Sequence, residues 1–132
     1  MSMLPCLSVR QPWAHFIVAG LKPIENRNWR AAFRGRVLVH ASKGMTRNEY
    51  LEASLFAARN CGVPHDRIPA FDSLPRGGIV GSVEIVGCVD RSDSPWFVGE
   101  FGFVLRDPQT LPFIPYKGAL GFFRVPESVV CV

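Results

Sequence analysis

Apolar and polar positions alternate over several short stretches of this chain, each bounded by glycine, proline or a charged turn. Residues 5–10 read as a short entry strand. From residue 24 to 29, alternation places Glu25, Arg27 and Trp29 on one face and Ile24, Asn26 and Asn28 on the other. After Arg34-Gly35 it resumes, with Val37, Val39 and Ala41 toward a core and Arg36, Leu38, His40 and Ser42 opposite. Gly78–Val89 is the clearest strand, with Ile79, Val83, Ile85 and Val89 expected on one face and Ser82 and Glu84 on the other. Residues 101–105, 111–116 and 120–125 supply three further strands.

Two stretches change to a helical period. Pro12 suits a first helical position, where its missing N–H costs nothing. Trp13, Phe16 and Ile17 follow at helical spacing, and Gly20 can end the helix in a left-handed conformation. Thr46-Arg-Asn-Glu49 matches a capping box ahead of Tyr50, Leu51, Leu55 and Phe56, and this helix should stop near residues 60–62. Residues 63–77, with Pro64, Pro69 and Pro75, read as a long loop containing a helical turn. Short turns between the late strands make their pairing antiparallel. The expectation is an α+β fold: a small mixed, mostly antiparallel β-barrel of six or seven strands flanked by two or three helices, as a single domain over residues 1–132.

Composition narrows this further. An apolar share of 48% and a charged share of 20% exclude wholesale disorder, and eleven prolines with twelve glycines argue against a helical bundle. No apolar run approaches the ~18 residues that span a bilayer, and the first ten residues do not resemble a secretory signal. Cys6, Cys61, Cys88 and Cys131 are far apart, without a Cys-x-x-Cys pair or a histidine spaced for zinc. They are expected to be reduced thiols in a cytoplasmic protein that needs no metal, cofactor or membrane. Charge is unevenly spread: residues 1–47 hold eight basic side chains against Glu25 alone, and residues 48–132 hold seven basic against ten acidic. A basic N-terminal third points to a polyanionic partner such as nucleic acid.

The common catalytic signatures are absent: no Walker loop, no His-Glu-x-x-His and no Gly-x-Ser-x-Gly. His15, His40 and His65 have no obvious carboxylate partner, and His40 reads as a hydrogen-bonded barrel residue. Unusual residues instead crowd between positions 8 and 43. They form Gln11-Pro-Trp13-Ala, then Gly20-Leu-Lys22-Pro-Ile-Glu25-Asn26-Arg27-Asn-Trp29, then Arg34-Gly-Arg-Val-Leu-Val-His40-Ala. With the Gly78–Val89 strand and the Pro115-Tyr-Lys-Gly118 turn, these blocks resemble, in order and spacing, the ASCH family, a domain named for its homology to a transcriptional coactivator. The resemblance covers about residues 6–125. It implies a PUA-like barrel with a cleft between barrel and helices, in a superfamily that recognises RNA or modified bases. It also implies relatives that are nucleic-acid binders, ribonucleases or an amidohydrolase acting on N4-acetylcytidine. That amidohydrolase uses a lysine, which Lys22 matches, a threonine, where this chain has Glu25, and a glutamate.

The residues support a cleft in their own right. Trp13 and Trp29 offer faces on which a base can stack. Gln11 and Asn26 both donate and accept hydrogen bonds, which suits the reading of a base edge. Arg10, Lys22, Arg27 and Lys43 can neutralise phosphate, and Tyr116 with Lys117 can form a second wall. Two functions stay open. One is a module that binds RNA, single-stranded nucleic acid, a nucleotide or a modified nucleoside in a basic, tryptophan-lined cleft. The other is a hydrolase on the same ligands, an amidohydrolase or a metal-independent ribonuclease, with Lys22 as base or nucleophile and Glu25 activating water. A weaker third is a protein-interaction module built on the 63–77 loop.

Overall fold

The computed structural model describes residues 2–130. Strand β1 (Met3–Val9) leads into helix α1 (Trp13–Val18), then β2 (Ile24–Arg27), β3 (Gly35–Ala41) and helix α2 (Arg47–Cys61). After two short 3-10 turns, His65–Arg67 and Phe71–Ser73, come β4 (Gly78–Val89), β5 (Phe101–Pro115), β6 (Phe122–Pro126) and the four-residue helix α3 (Glu127–Val130). The six strands form one mixed sheet in the order β2-β5-β4-β3-β1-β6. Only β1 and β3 run parallel among the pairs of described residues, because α1 and β2 carry the chain across between them. The α+β architecture and the strand count agree with the sequence pattern.

Local chemistry explains the elements. Pro12 occupies the position just before α1 rather than its first turn, and Phe16 N–H donates to the Pro12 carbonyl at 3.1 Å. At α2 the capping box is complete: Thr46 Oγ1 accepts from Glu49 N–H and Glu49 Oε1 accepts from Thr46 N–H. Gly62 ends this helix at φ 68°, a conformation natural to glycine. The buried face of α2 is lined by small residues. Leu51 and Leu55 are exposed, while Ala53 and Ala57 are buried. Ala57 packs in the cluster of Phe16, Ile24, Val63 and Trp96, and its small side chain lets the helix lie close there.

Two expectations about the strands need correction. Residues 101–105 and 111–116 belong to one strand of 15 residues, β5. The interruption at Asp107-Pro108 is absorbed within it: Asp107 takes a left-handed φ of 52°, and the pairing with β4 shifts register in this region. Nor do Ile79, Val83 and Ile85 share a face. Val83 and Ile85 pack with Val37, Val39 and Phe103, whereas Ile79 packs with Cys6, Leu38 and Val125. The register shifts between Ile79 and Gly81 and between Val39 and His40 reverse the alternation there. The sheet therefore has a core on each face. Cys6, Cys61 and Cys88 are free thiols, and Cys131 lies outside the described residues. Burial pushes the Cys6 thiol up to about 12, so it stays protonated.

The sheet does not close by backbone hydrogen bonds among the described residues: β2 and β6 are its edges. Aromatic rings join those edges. Trp29, two residues beyond β2, meets Phe103 edge-on at 5.2 Å and Phe122 of β6 at 5.5 Å. Phe103 and Phe122 stack at 6.0 Å, and Phe33 packs on Phe122 at 5.6 Å. Trp29→Ala would remove the ring shared by both edges. It should lower unfolding stability by about 3 kcal/mol, the low end for truncating a large core aromatic, since Trp29 is only half-buried. Urea unfolding measures this; an unchanged midpoint would show that the seam does not depend on Trp29.

Candidate functional site

A cleft of about 840 Å³ is bounded by Ser8, Arg27, His40, Ser42, Lys43 and the segment from Tyr116 to Gly121. Ser8 and His40 are register partners on β1 and β3, and both project on the face that also carries Cys6 and Leu38. The β5–β6 connection, residues 116–121, forms the second wall. It is fixed from below, because the buried His40 ring bonds to the Tyr116 carbonyl. The Tyr116 ring stacks on Phe123 at 6.5 Å. A Cβ at Gly118 would come within 2.7 Å of Ser8 Oγ and of His40 Cε1, so only glycine lets the chain pass over the floor. Arg27, Lys43 and Lys117 line the cleft, and no carboxylate among the described residues does.

Lys22 and Glu25 lie behind this cleft. Both are buried, at 4% and 7% exposure. Lys22 Nζ donates to Glu25 Oε1 at 3.0 Å and to the Ile24 carbonyl. Glu25 Oε2 accepts from Arg27 Nε at 2.9 Å, and Arg27 Nη2 donates to the Ser8 carbonyl at 2.7 Å. Each carboxylate oxygen thus has its own cation. Arg27 connects the buried trio to the cleft: its ε-nitrogen belongs to one and its terminal nitrogen reaches the floor of the other. Lys22 and Glu25 border a smaller hollow of about 220 Å³ with Trp13, Asn26 and Trp96.

The other sequence candidates divide between sites. Neither tryptophan lines the main cleft. Trp13 packs edge-on against Phe16, Phe56 and Trp96 at 6.0–6.5 Å, with Lys22 Nζ 5.8 Å from its ring centre. Trp29 belongs to the aromatic seam. Gln11 is 2% exposed and its amide is fully engaged: Oε1 accepts from His15 N–H and Nε2 donates to the Pro75 carbonyl. Asn26 uses its amide likewise, donating to the Trp96 carbonyl at 2.8 Å and accepting from Val98 N–H at 3.1 Å. Both amides tie loops to the scaffold instead of offering edges to a base. Arg10 is exposed and paired with Glu49 at 2.7 Å. The 63–77 loop is pinned as well. Phe71 sits under the guanidinium groups of Arg47 and Arg76, and the Tyr50 hydroxyl donates to the Pro69 carbonyl.

Ser8, Ser42 and the residue pair Ser8–His40 were missed in the sequence. The available signal was the alternation that sets His40 and Ser42 on the polar face of β3; the partner strand was not knowable from it.

The fold is that of a PUA-like ASCH domain. The ASCH domain model matches residues 7–100, and the chain belongs to the ASCH domain family. It is 30% identical, over 94% of its length, to human Activating signal cointegrator 1, and 28% identical to the mouse protein. The chain spans 22% of the length of each of these relatives. Among solved structures it is similar to the ASCH protein of Zymomonas mobilis, with a TM-score of 0.58 and 16% identity, covering 95% of this chain and 89% of that one. A point variant of the same protein superposes equally well, at 15% identity.

Glu25→Gln keeps the shape of the trio but removes its negative charge, leaving the buried Lys22 and the partly buried Arg27 without their shared counter-charge. Stability should fall by about 3–5 kcal/mol, the cost of breaking a buried ion pair from one side. Chemical denaturation checks this, and a loss below about 1 kcal/mol, the scale of an exposed pair, would show that the trio is solvated.

Proposed function

We propose that the chain is a nucleic-acid or nucleotide-binding module that takes RNA, another single strand or a modified nucleoside into the 840 Å³ cleft. The observation that carries this reading is the meeting of Arg27, Lys43 and Lys117 around Ser8, Ser42 and Tyr116 with no lining carboxylate among the described residues. Lys43 and Lys117, with the guanidinium of Arg27 whose partner Glu25 is shared with Lys22, give the lining a positive excess that favours a ligand bringing phosphate. The hydroxyls of Ser8 and Ser42 and the exposed end of Lys117 offer polar partners for a sugar or base edge. A base laid on Tyr116 would extend the stack that its ring already makes with Phe123. No described helix is long and apolar enough to cross a membrane, and the described residues contain no cluster of metal-ligating side chains.

The hydrolase reading built on Lys22 and Glu25 has less support. Their polar atoms are spent on each other, on Arg27 and on the backbone, and they face the smaller hollow. The geometry suits them to hold Arg27 in place. A cytoplasmic location accords with the free thiols but rests on this reading alone.

Binding of a fluorescent single-stranded RNA, followed by anisotropy, should weaken with salt. Three phosphate contacts give a log–log slope of about −2, at about 0.7 per contact on a single strand. Lys43→Ala and Lys117→Ala should each flatten that slope by about 0.7. A slope near zero, or slopes unchanged in both variants, would remove this cleft as the contact surface.

A further inference from the structure

The floor of the cleft holds a pair, Ser8 and His40, whose contact goes beyond what binding requires. Ser8 Oγ lies 3.0 Å from His40 Nδ1, and His40 Nε2 lies 2.6 Å from the Tyr116 carbonyl oxygen. A carbonyl can only accept, so Nε2 carries the proton. In the neutral ring Nδ1 is then the free base, and the Ser8 hydroxyl donates to it. The backbone thus fixes the tautomer. A hydroxyl, a base in contact with it and a third group orienting that base are the parts of an activated nucleophile. The positions are fixed by structure: Ser8 and His40 are in register on adjacent parallel strands, and Tyr116 ends the wall above them. Ser8 is half-exposed in the cleft, and its own carbonyl accepts from Arg27 at 2.7 Å. A fixed positive charge therefore stands beside the hydroxyl, where an oxyanion would form.

We propose that Ser8, activated by His40, cleaves acyl esters of anionic molecules in this cleft. The proposal shares the cleft with the binding reading but does not require nucleic acid. Ser8 Oγ bonds to the ester carbonyl carbon while its proton passes to His40 Nδ1. The tetrahedral oxyanion faces Arg27. It collapses by breaking the bond to the alkoxy oxygen, which leaves as the alcohol with the proton from His40. Water then attacks the acyl-serine, gives its proton to His40 and releases the carboxylic acid, and the proton returns to Ser8. Lys43 and Lys117 hold the anionic part of the substrate. Gly118 leaves the hydroxyl uncovered where any side chain would meet it.

A fluorophosphonate probe, with adducts mapped by peptide mass spectrometry, tests the nucleophile. Ser8 should be labelled, and Ser42, which lines the same cleft, should not. His40→Asn should slow labelling by at least about 100-fold, the lower range for loss of a general base, with its melting curve recorded alongside. If His40→Asn does not fold, the rates of Ser8 and Ser42 in the wild-type protein decide. Para-nitrophenyl succinate, which is anionic, should be hydrolysed faster than the neutral butyrate ester, and Ser8→Ala should abolish turnover, with its melting curve recorded to show that it folds. No adduct at Ser8, or equal labelling of Ser8 and Ser42, overturns the proposal. RNA binding measured on the same samples stands or falls separately.

Discussion

A single buried carboxylate holds the open side of this barrel. Glu25 sits at one edge of the sheet, on β2, between the ammonium of Lys22 and the guanidinium of Arg27. Burying Lys22 and Glu25 is costly, and the arrangement persists because each oxygen of Glu25 meets a cation and each cation also donates to a backbone carbonyl. The carbonyl that Arg27 reaches belongs to Ser8. On β1 the pairing with β6 ends at Leu7, so Arg27 bonds the next residue along. One guanidinium thus links the edge strand β2 to β1, the neighbour of the other edge strand β6, where the strands do not pair.

The aromatic seam completes the closure from the apolar side. Trp29 lies two residues beyond Arg27 and packs on Phe103 and Phe122. A polar clamp and an apolar zipper therefore come from one short segment, residues 25–29, which explains its dense composition. The cleft inherits its rigidity from this segment. Arg27 is held at its ε-nitrogen by Glu25, so its charge is presented to the cleft without the entropy of a free arginine. The opposite wall is held by His40, and Gly77 with Lys43 completes the rim.

Much of the fold was legible because it depends on local pattern. Alternation along residues 37–41 correctly separated the two faces of β3, and Thr46 with Glu49 marked the start of α2 in sequence. Bulges were not legible: they reverse the faces of Ile79 relative to Val83 without any change in residue type. The site was harder for a related reason. Gln11 and Asn26 have the chemistry of a base reader, but their partners are the loops at Pro75, Trp96 and Val98, more than sixty residues away in sequence. Trp29 reads in sequence as a face for a base, but its ring turns into the seam because Phe103 and Phe122 arrive there from distant strands. Ser8 and His40 come together only through a parallel pairing that no short-range signal announces.

The central claim is that ligand enters beside Arg27, between β1, β3 and the 116–121 segment, and not at the hollow of Trp13, Lys22 and Asn26. A heteronuclear NMR titration of the isotope-labelled protein with a short single-stranded RNA tests it most directly. The account predicts that shifts concentrate at the backbone amides of Ser8, Ser42, Lys43 and Lys117 and at the Arg27 side chain, with the Trp13 indole and the Asn26 amide unmoved. Shifts concentrated at Trp13, Asn26 and Trp96, with the 116–121 segment silent, would contradict it.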